Sequence, residues 1–180
     1  MSQEPDNTEK RMEALERDIT RVMTYMEKAQ SLHDKAETEA ALNQARKAIE
    51  AICKQIVLRE GFKSKGRAIH KLTLDDHITL LQNALNVANP SIPKLMVIRI
   101  SHIRDYGNFG SHDQGDTDAD KLTSADARNC LSLLSEVVQW YCSDYQGLPL
   151  RELAPPTPEE TSAPGIGSEE PVLEEPEEQE

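Results

Sequence analysis

Between Thr8 and Leu32 the apolar residues Met12, Leu15, Ile19, Val22, Met23, Met26 and Ala29 recur mostly three or four positions apart, with charged residues between them. That spacing places them on one face and predicts a long amphipathic helix. Asp34 and Glu37 are spaced as a capping box. After them "TEAALNQARKAIEAICKQIVLREG" reads as a second helix ending at Gly61. Its stripe of Ala41, Leu42, Ala45, Ile49, Ile52, Cys53 and Ile56 is wide, as expected of a central helix.

"GFKSKGRAIHK" keeps no period and reads as a loop. Thr73 is then placed to cap a shorter helix, with Asp75 and Asp76 in its first turn and Ile78, Leu81 and Leu85 on one face. Asn89 and Pro90 stop it, and Pro93 opens a fourth helix bearing Leu95, Met96, Ile98, Ile100 and Ile103. Past the polar "DQGDTDAD", Thr123 or Ser124 caps a last helix through Leu131, Leu134, Val137, Val138 and Tyr141 to about Gly147. No segment alternates as a strand does. The pattern predicts an all-α bundle of about five helices.

Composition changes this picture at one end. Residues 151–180 hold ten Glu against one Arg and six of the ten Pro, whereas residues 1–150 hold 22 acidic and 19 basic groups. Most of the net charge of -12 therefore belongs to the last thirty residues, which by composition read as a disordered acidic tail. The expected organisation is an N-terminal amphipathic helix over 1–33 packed on a helical domain over 34–150, followed by the tail over 151–180. A near-neutral body neither demands nor excludes nucleic acid. Cys53, Cys130 and Cys142 lack CxxC spacing and read as buried apolar residues in a reducing compartment. The opening "MSQEPDNTEK" lacks the apolar core of a signal peptide, and no stretch approaches eighteen apolar residues, so a cytoplasmic protein without a membrane span is expected.

The chemistry concentrates in "IRDYGNFGSHDQG". Arg104, Asn108 and His112 succeed one another at intervals of four, which on a continuous helix aligns them in a polar row. A metal-independent ribonuclease needs a base for the 2′-hydroxyl proton and a cation for the phosphate, and imidazole and guanidinium suit those tasks. Arg46 and Glu50 form an i,i+4 pair beside the apolar stripe of the second helix; exposed, such a pair adds ~0.3 kcal/mol, and buried, it would orient Asn108 and His112 from behind. Lys63, Lys65, Arg67 and Lys71 make the most basic segment of the body and are candidates for phosphate contact. The histidines show neither HxxxH nor HExxH spacing, and phosphate-loop, GxSxG and GxGxxG motifs are missing, so neither a metal nor a cofactor is expected.

With "ALNQARKAIEAICKQI", "LMVIRISHIRDYGNFGSHD" and "SLLSEVVQWYCSDY", roughly residues 30–147 resemble the HEPN-like domains of bacteria. The resemblance is strongest to the uncharacterised HEPN-like family that occurs alone or fused to restriction-enzyme subunits and other defence proteins. It implies a helical bundle, often a dimer, whose active members carry an Arg-Asn, three residues, His motif duplicated across the dimer. Asn108 and His112 match that motif, and Arg46 with Glu50 matches the family's Ala-Arg, three residues, Glu pattern. Gly107 stands in the arginine position, a Gly-Asn pairing that the uncharacterised family favours.

Three readings follow. The first is a self-associating accessory or interaction module in bacterial defence or nucleic-acid processing, without catalysis, and a missing cation favours it. The second is a metal-independent endoribonuclease with His112 as base and Arg104 as a displaced cation. In the third, the acidic tail binds a basic protein partner or shields the body's basic loop.

Overall fold

In a computed structural model, the described residues are 7–64, 66–85, 91–109 and 122–148. Lys65, Gly110, His112, the helix stop at Asn89 and Pro90, and the segment 151–180 lie outside them. Five helices follow in order: α1 (Asn7–Asp34), α2 (Thr38–Arg59), α3 (Leu74–Ala84), α4 (Lys94–Phe109) and α5 (Ser124–Trp140), with no strand among the described residues. A 3-10 turn at Ile69–Lys71 leads into α3, and a π-helical turn at Tyr141–Tyr145 extends α5. The all-α bundle expected from the pattern is the fold observed.

The wide stripe of α2 explains the architecture. Ala41, Leu42, Ala45, Ala48, Ile49, Ile52, Cys53, Ile56 and Val57 are all fully buried, and α2 contacts each of the other four helices. Around it close Val22 of α1, Leu74, Ile78 and Leu81 of α3, Ile100 and Ile103 of α4, and Leu134 and Val137 of α5. α1 contributes Val22 and Ala29 to the same interior, so the bundle has one core. Burying one such Leu or Ile side chain is worth about 1.5–3 kcal/mol.

Two of the predicted helix starts carry caps. The Thr73 hydroxyl accepts the Asp76 backbone N–H while Asp76 accepts from the Thr73 backbone, and Thr123 with Asp126 repeats the arrangement. These hydrogen bonds hold both carboxyls below their ordinary pKa. The capping box expected from Asp34 and Glu37 does not form. α1 runs through Asp34, which accepts from Gln30, and Glu37 at the start of α2 makes no side-chain cap. Instead the chain reverses at Ala36 in the left-handed region at φ 61°, with the Lys35 and Glu37 amides both donating to the Leu32 carbonyl.

All three cysteines are free and buried. Burial pushes the thiol pKa up to about 12 at Cys130 and about 11 at Cys142, and raises it at Cys53 as well. At the end of α5, Trp140 and Tyr145 lie 5.5 Å apart, Tyr141 and Tyr145 stack at 5.9 Å, and Arg59 from α2 sits 4.8 Å from the Tyr145 ring centre. The aromatic residues there pack against one another, as their position in the sequence suggests.

Candidate functional site

α4 carries the motif to its last turn, ending at Phe109 one residue past Asn108. Asn108 is half-buried and Gly107 is buried. His112 is outside the described residues, so the polar row can be placed only as far as Arg104 and Asn108.

Arg104 is already committed. Its Nη1 donates to Asp75 Oδ1 at 2.8 Å, and its Nη2 and Nε donate to Asp105 Oδ1 at 2.7 and 2.9 Å. Partial burial works to lower the pKa of its guanidinium, and the hydrogen bonds to Asp75 and Asp105 outweigh that and raise it. A guanidinium held by two carboxylates is a structural tie between α3 and α4, and a phosphate would have to displace both anions. The residue expected as a displaced cation is thus paired with two carboxylates in the fold. One of them, Asp75, stands twenty-nine positions away in the chain, which no helical spacing could reveal.

Gly107 explains itself at the crossing of α2 and α4. A Cβ at this position would lie 2.6 Å from Arg46 Cβ, 2.9 Å from Arg46 Cδ and 3.1 Å from Arg46 Cγ. The missing side chain is thus a notch in α4, and the stem of Arg46 lies in it. An arginine at position 107 would collide with α2 itself, because the closest contact is to a Cβ that cannot swing away.

Among the described residues the Arg46 guanidinium has no counter-ion. Its Nε is buried without a hydrogen-bond partner, and no hydrogen bond or ion pair joins its head to any described residue. The expected pair with Glu50 is absent: Glu50 is exposed, whereas Arg46 is half-buried. Glu50 acts instead near Cys53, where burial foremost and its charge second raise the thiol pKa, and near His77, where it partly offsets the lowering by burial. Leaving a partly desolvated guanidinium unpaired costs free energy, on the order of 1–3 kcal/mol or more for a charged group. An arriving anion would recover that loss. Sequence reasoning singled out Arg46 but missed its contact with Gly107, since the two are brought together only by tertiary packing.

The basic segment is less concentrated than the sequence suggests. Lys63 and Lys71 are exposed, but Arg67 Nη1 reaches Asp76 Oδ2 at 3.4 Å, and Lys65 is not described. His77, not singled out beforehand, is 2% exposed with neither ring nitrogen hydrogen-bonded. Burial foremost, helped by Lys54, lowers its pKa below the ordinary 6.5 against the pull of Glu50 and Asp76. On the outer side of α4, Leu95, Ile98, His102 and Phe109 are exposed at intervals of three, four and seven, forming one stripe. Among the described residues no group of His, Cys, Asp and Glu is arranged to hold a metal ion, and no helix is long and apolar enough to cross a membrane.

No family model, curated protein or solved structure matches this chain.

Proposed function

We propose that the chain is a HEPN-like, self-associating interaction module that recognises a phosphate-bearing partner, RNA first among them, without turning it over. The bacterial defence or nucleic-acid-processing setting rests on the sequence resemblance alone. The observation that carries the binding role is the guanidinium of Arg46, unpaired among the described residues, with its stem held at Gly107. Binding asks for a cation already stripped of part of its water and for a polar neighbour such as Asn108. The exposed stripe on α4 supports self-association, since apolar side chains aligned along one helix face are what a second copy would cover.

The same residue favours a second reading. If Arg46 supplies from α2 the cation that position 107 lacks, His112 as base would complete a metal-independent ribonuclease. Cleavage requires His112 within reach of the same phosphate, whereas binding does not.

Fluorescence anisotropy with labelled single-stranded RNA, alongside a cleavage assay, separates these readings. Arg46→Met keeps the stem in the notch and removes the charge. It should weaken binding roughly tenfold, the loss of one charge-assisted contact worth about 1.4 kcal/mol, with no cleavage by either protein. Cleavage abolished by His112→Ala would replace the module with the enzyme. RNA binding unaffected by Arg46→Met would remove Arg46 from both readings.

A further inference from the structure

On the opposite end of α2 from the Gly107 notch, the first turns of α1, the last turns of α2 and the π-helical turn enclose a cleft of about 490 Å³. Met12 and Leu58 line it and are 49% and 47% exposed, two large apolar side chains left uncovered in one place. Arg11, also lining the cleft, makes no ion pair or hydrogen bond to the described residues. Arg59 donates from Nη1 to the Tyr145 carbonyl at 3.2 Å and to the Gln146 side-chain oxygen. Its Nε and Nη2 make no hydrogen bond there. Against these two cations the lining holds one carboxylate, Asp18.

The cleft also contains an orphan donor. Tyr141 is fully buried, lines the cleft, and its hydroxyl has no hydrogen-bond partner. The Gln146 side chain lies close enough to offset part of the rise in the phenol pKa, and its oxygen also accepts from Arg59 Nη1. Burial foremost, with Asp18 contributing, pushes the phenol pKa up to about 12, so the hydroxyl keeps its proton and remains a donor. Apolar walls, two cations with open edges and a protonated hydroxyl describe a receptor for an acidic peptide with a hydrophobic centre.

This chain contains such a peptide. Residues 169–175 read Glu-Glu-Pro-Val-Leu-Glu-Glu, in which Val172 and Leu173 are the only adjacent pair of branched apolar residues between Arg151 and Glu180. The described chain ends at Leu148, two residues past the cleft-lining Gln146. Twenty residues separate Leu148 from Glu169, and a random-coil chain of that length would have a root-mean-square span of about 25 Å. Tethering supplies an effective concentration on the order of millimolar, so even a weak site fills. The basic segment around Lys63 and Lys71 is the poorer receptor, because Arg67 there is already paired with Asp76 and neither lysine lines this cleft.

We propose that this cleft is the docking site of the chain's own segment 169–175, with Val172 and Leu173 between Met12 and Leu58 and the flanking carboxylates on Arg11 and Arg59.

The test uses the full chain with a nitroxide attached through Glu175→Cys; the three native thiols are buried and do not compete for the label. Amide signals of Arg11–Leu15 and Gln55–Arg59 should broaden at least about twofold more than those of α3, as a millimolar effective concentration implies. Adding Val172→Asp and Leu173→Asp, which leave the folded body untouched, should abolish the difference, as should Met12→Asp. Uniform broadening, broadening centred on Lys63–Lys71, or indifference to these substitutions would overturn the proposal. So would broadening that appears only between a labelled copy and an unlabelled one, because the site would then be filled by a neighbour.

Discussion

Two arginines flank the last turns of α4, and the protein treats them in opposite ways. Arg104 reaches Asp75 of α3 and Asp105 of its own helix, and it is 26% exposed while Asp75 is 61% exposed. Arg46 comes from α2, lies in the notch at Gly107, and meets no anion among the described residues. One guanidinium fastens two helices together. The other is held in position by packing alone, with its charge uncompensated. The difference teaches that a cation's availability depends on its neighbours in space, and that the arginine inside a sequence motif is not for that reason the functional one.

The largest effect on this contrast should come from filling the notch. Gly107→Ala puts a carbon 2.6 Å from Arg46 Cβ, forcing α2 and α4 apart, and should cost about 2–3 kcal/mol in chemical denaturation. Pairing it with Arg46→Gly removes the colliding atom and should return part of that loss despite the roughly 1 kcal/mol helix penalty of glycine. Additive effects would show that the two positions do not share the space.

Removing the charges one at a time comes next. Arg104→Met should lower stability by about 1 kcal/mol through the lost contacts with Asp75 and Asp105, and leave RNA affinity unchanged. Arg46→Met should do the reverse, raising stability by about 1 kcal/mol as the unpaired charge leaves its half-buried site, while weakening RNA binding. If both variants behave alike in both assays, the contrast fails.

A third measurement asks whether acid sensitivity arises beside these arginines or elsewhere. His77 resists protonation in the fold, so the unfolded chain takes up its proton first as pH falls below the ordinary 6.5. Stability is then full above that pH and declines below it, until the folded pKa is reached, with at most about 1.4 kcal/mol lost per pH unit for one proton. His77→Gln should flatten this slope in pH-dependent denaturation. Asp76 and Asp126 behave as depressed carboxyls do: the stability from their caps persists above the ordinary 3.8 and is lost as pH falls through their folded values. The two acid losses should therefore appear in separate pH windows.

The smallest effect lies at the α1–α2 turn. Ala36 sits at φ 61°, where a Cβ is crowded and glycine is not. Ala36→Gly should raise the thermal midpoint modestly, by a stabilisation of about 0.5–1 kcal/mol.

Local chemistry was readable in the sequence, and encounters between helices were not. The helices follow from apolar spacing, and Thr73 and Thr123 announce their caps because an aspartate stands three residues on. Asp34 and Glu37 imitate that signal and fail, since α1 continues through Asp34 and the reversal is made by backbone geometry at Ala36. At the site, Gly107 was legible as a departure from the motif and Arg46 as a half-buried residue beside the stripe. That the second fills the first depends on how α2 crosses α4, which periodicity does not encode. The same holds for Arg104 and Asp75, and for His77, whose burial comes from the packing of α3 into the core.

The notch gives this chain a form of historical lock. With Arg46 lying across position 107, a single substitution there toward arginine cannot be sampled without first shortening residue 46, and shortening residue 46 alone discards the guanidinium already in place. Any stepwise route to an arginine at position 107 must cross a variant with no cation at the seam. The two positions are thus bound to change together, and a substitution tolerated at either one will depend on what occupies the other.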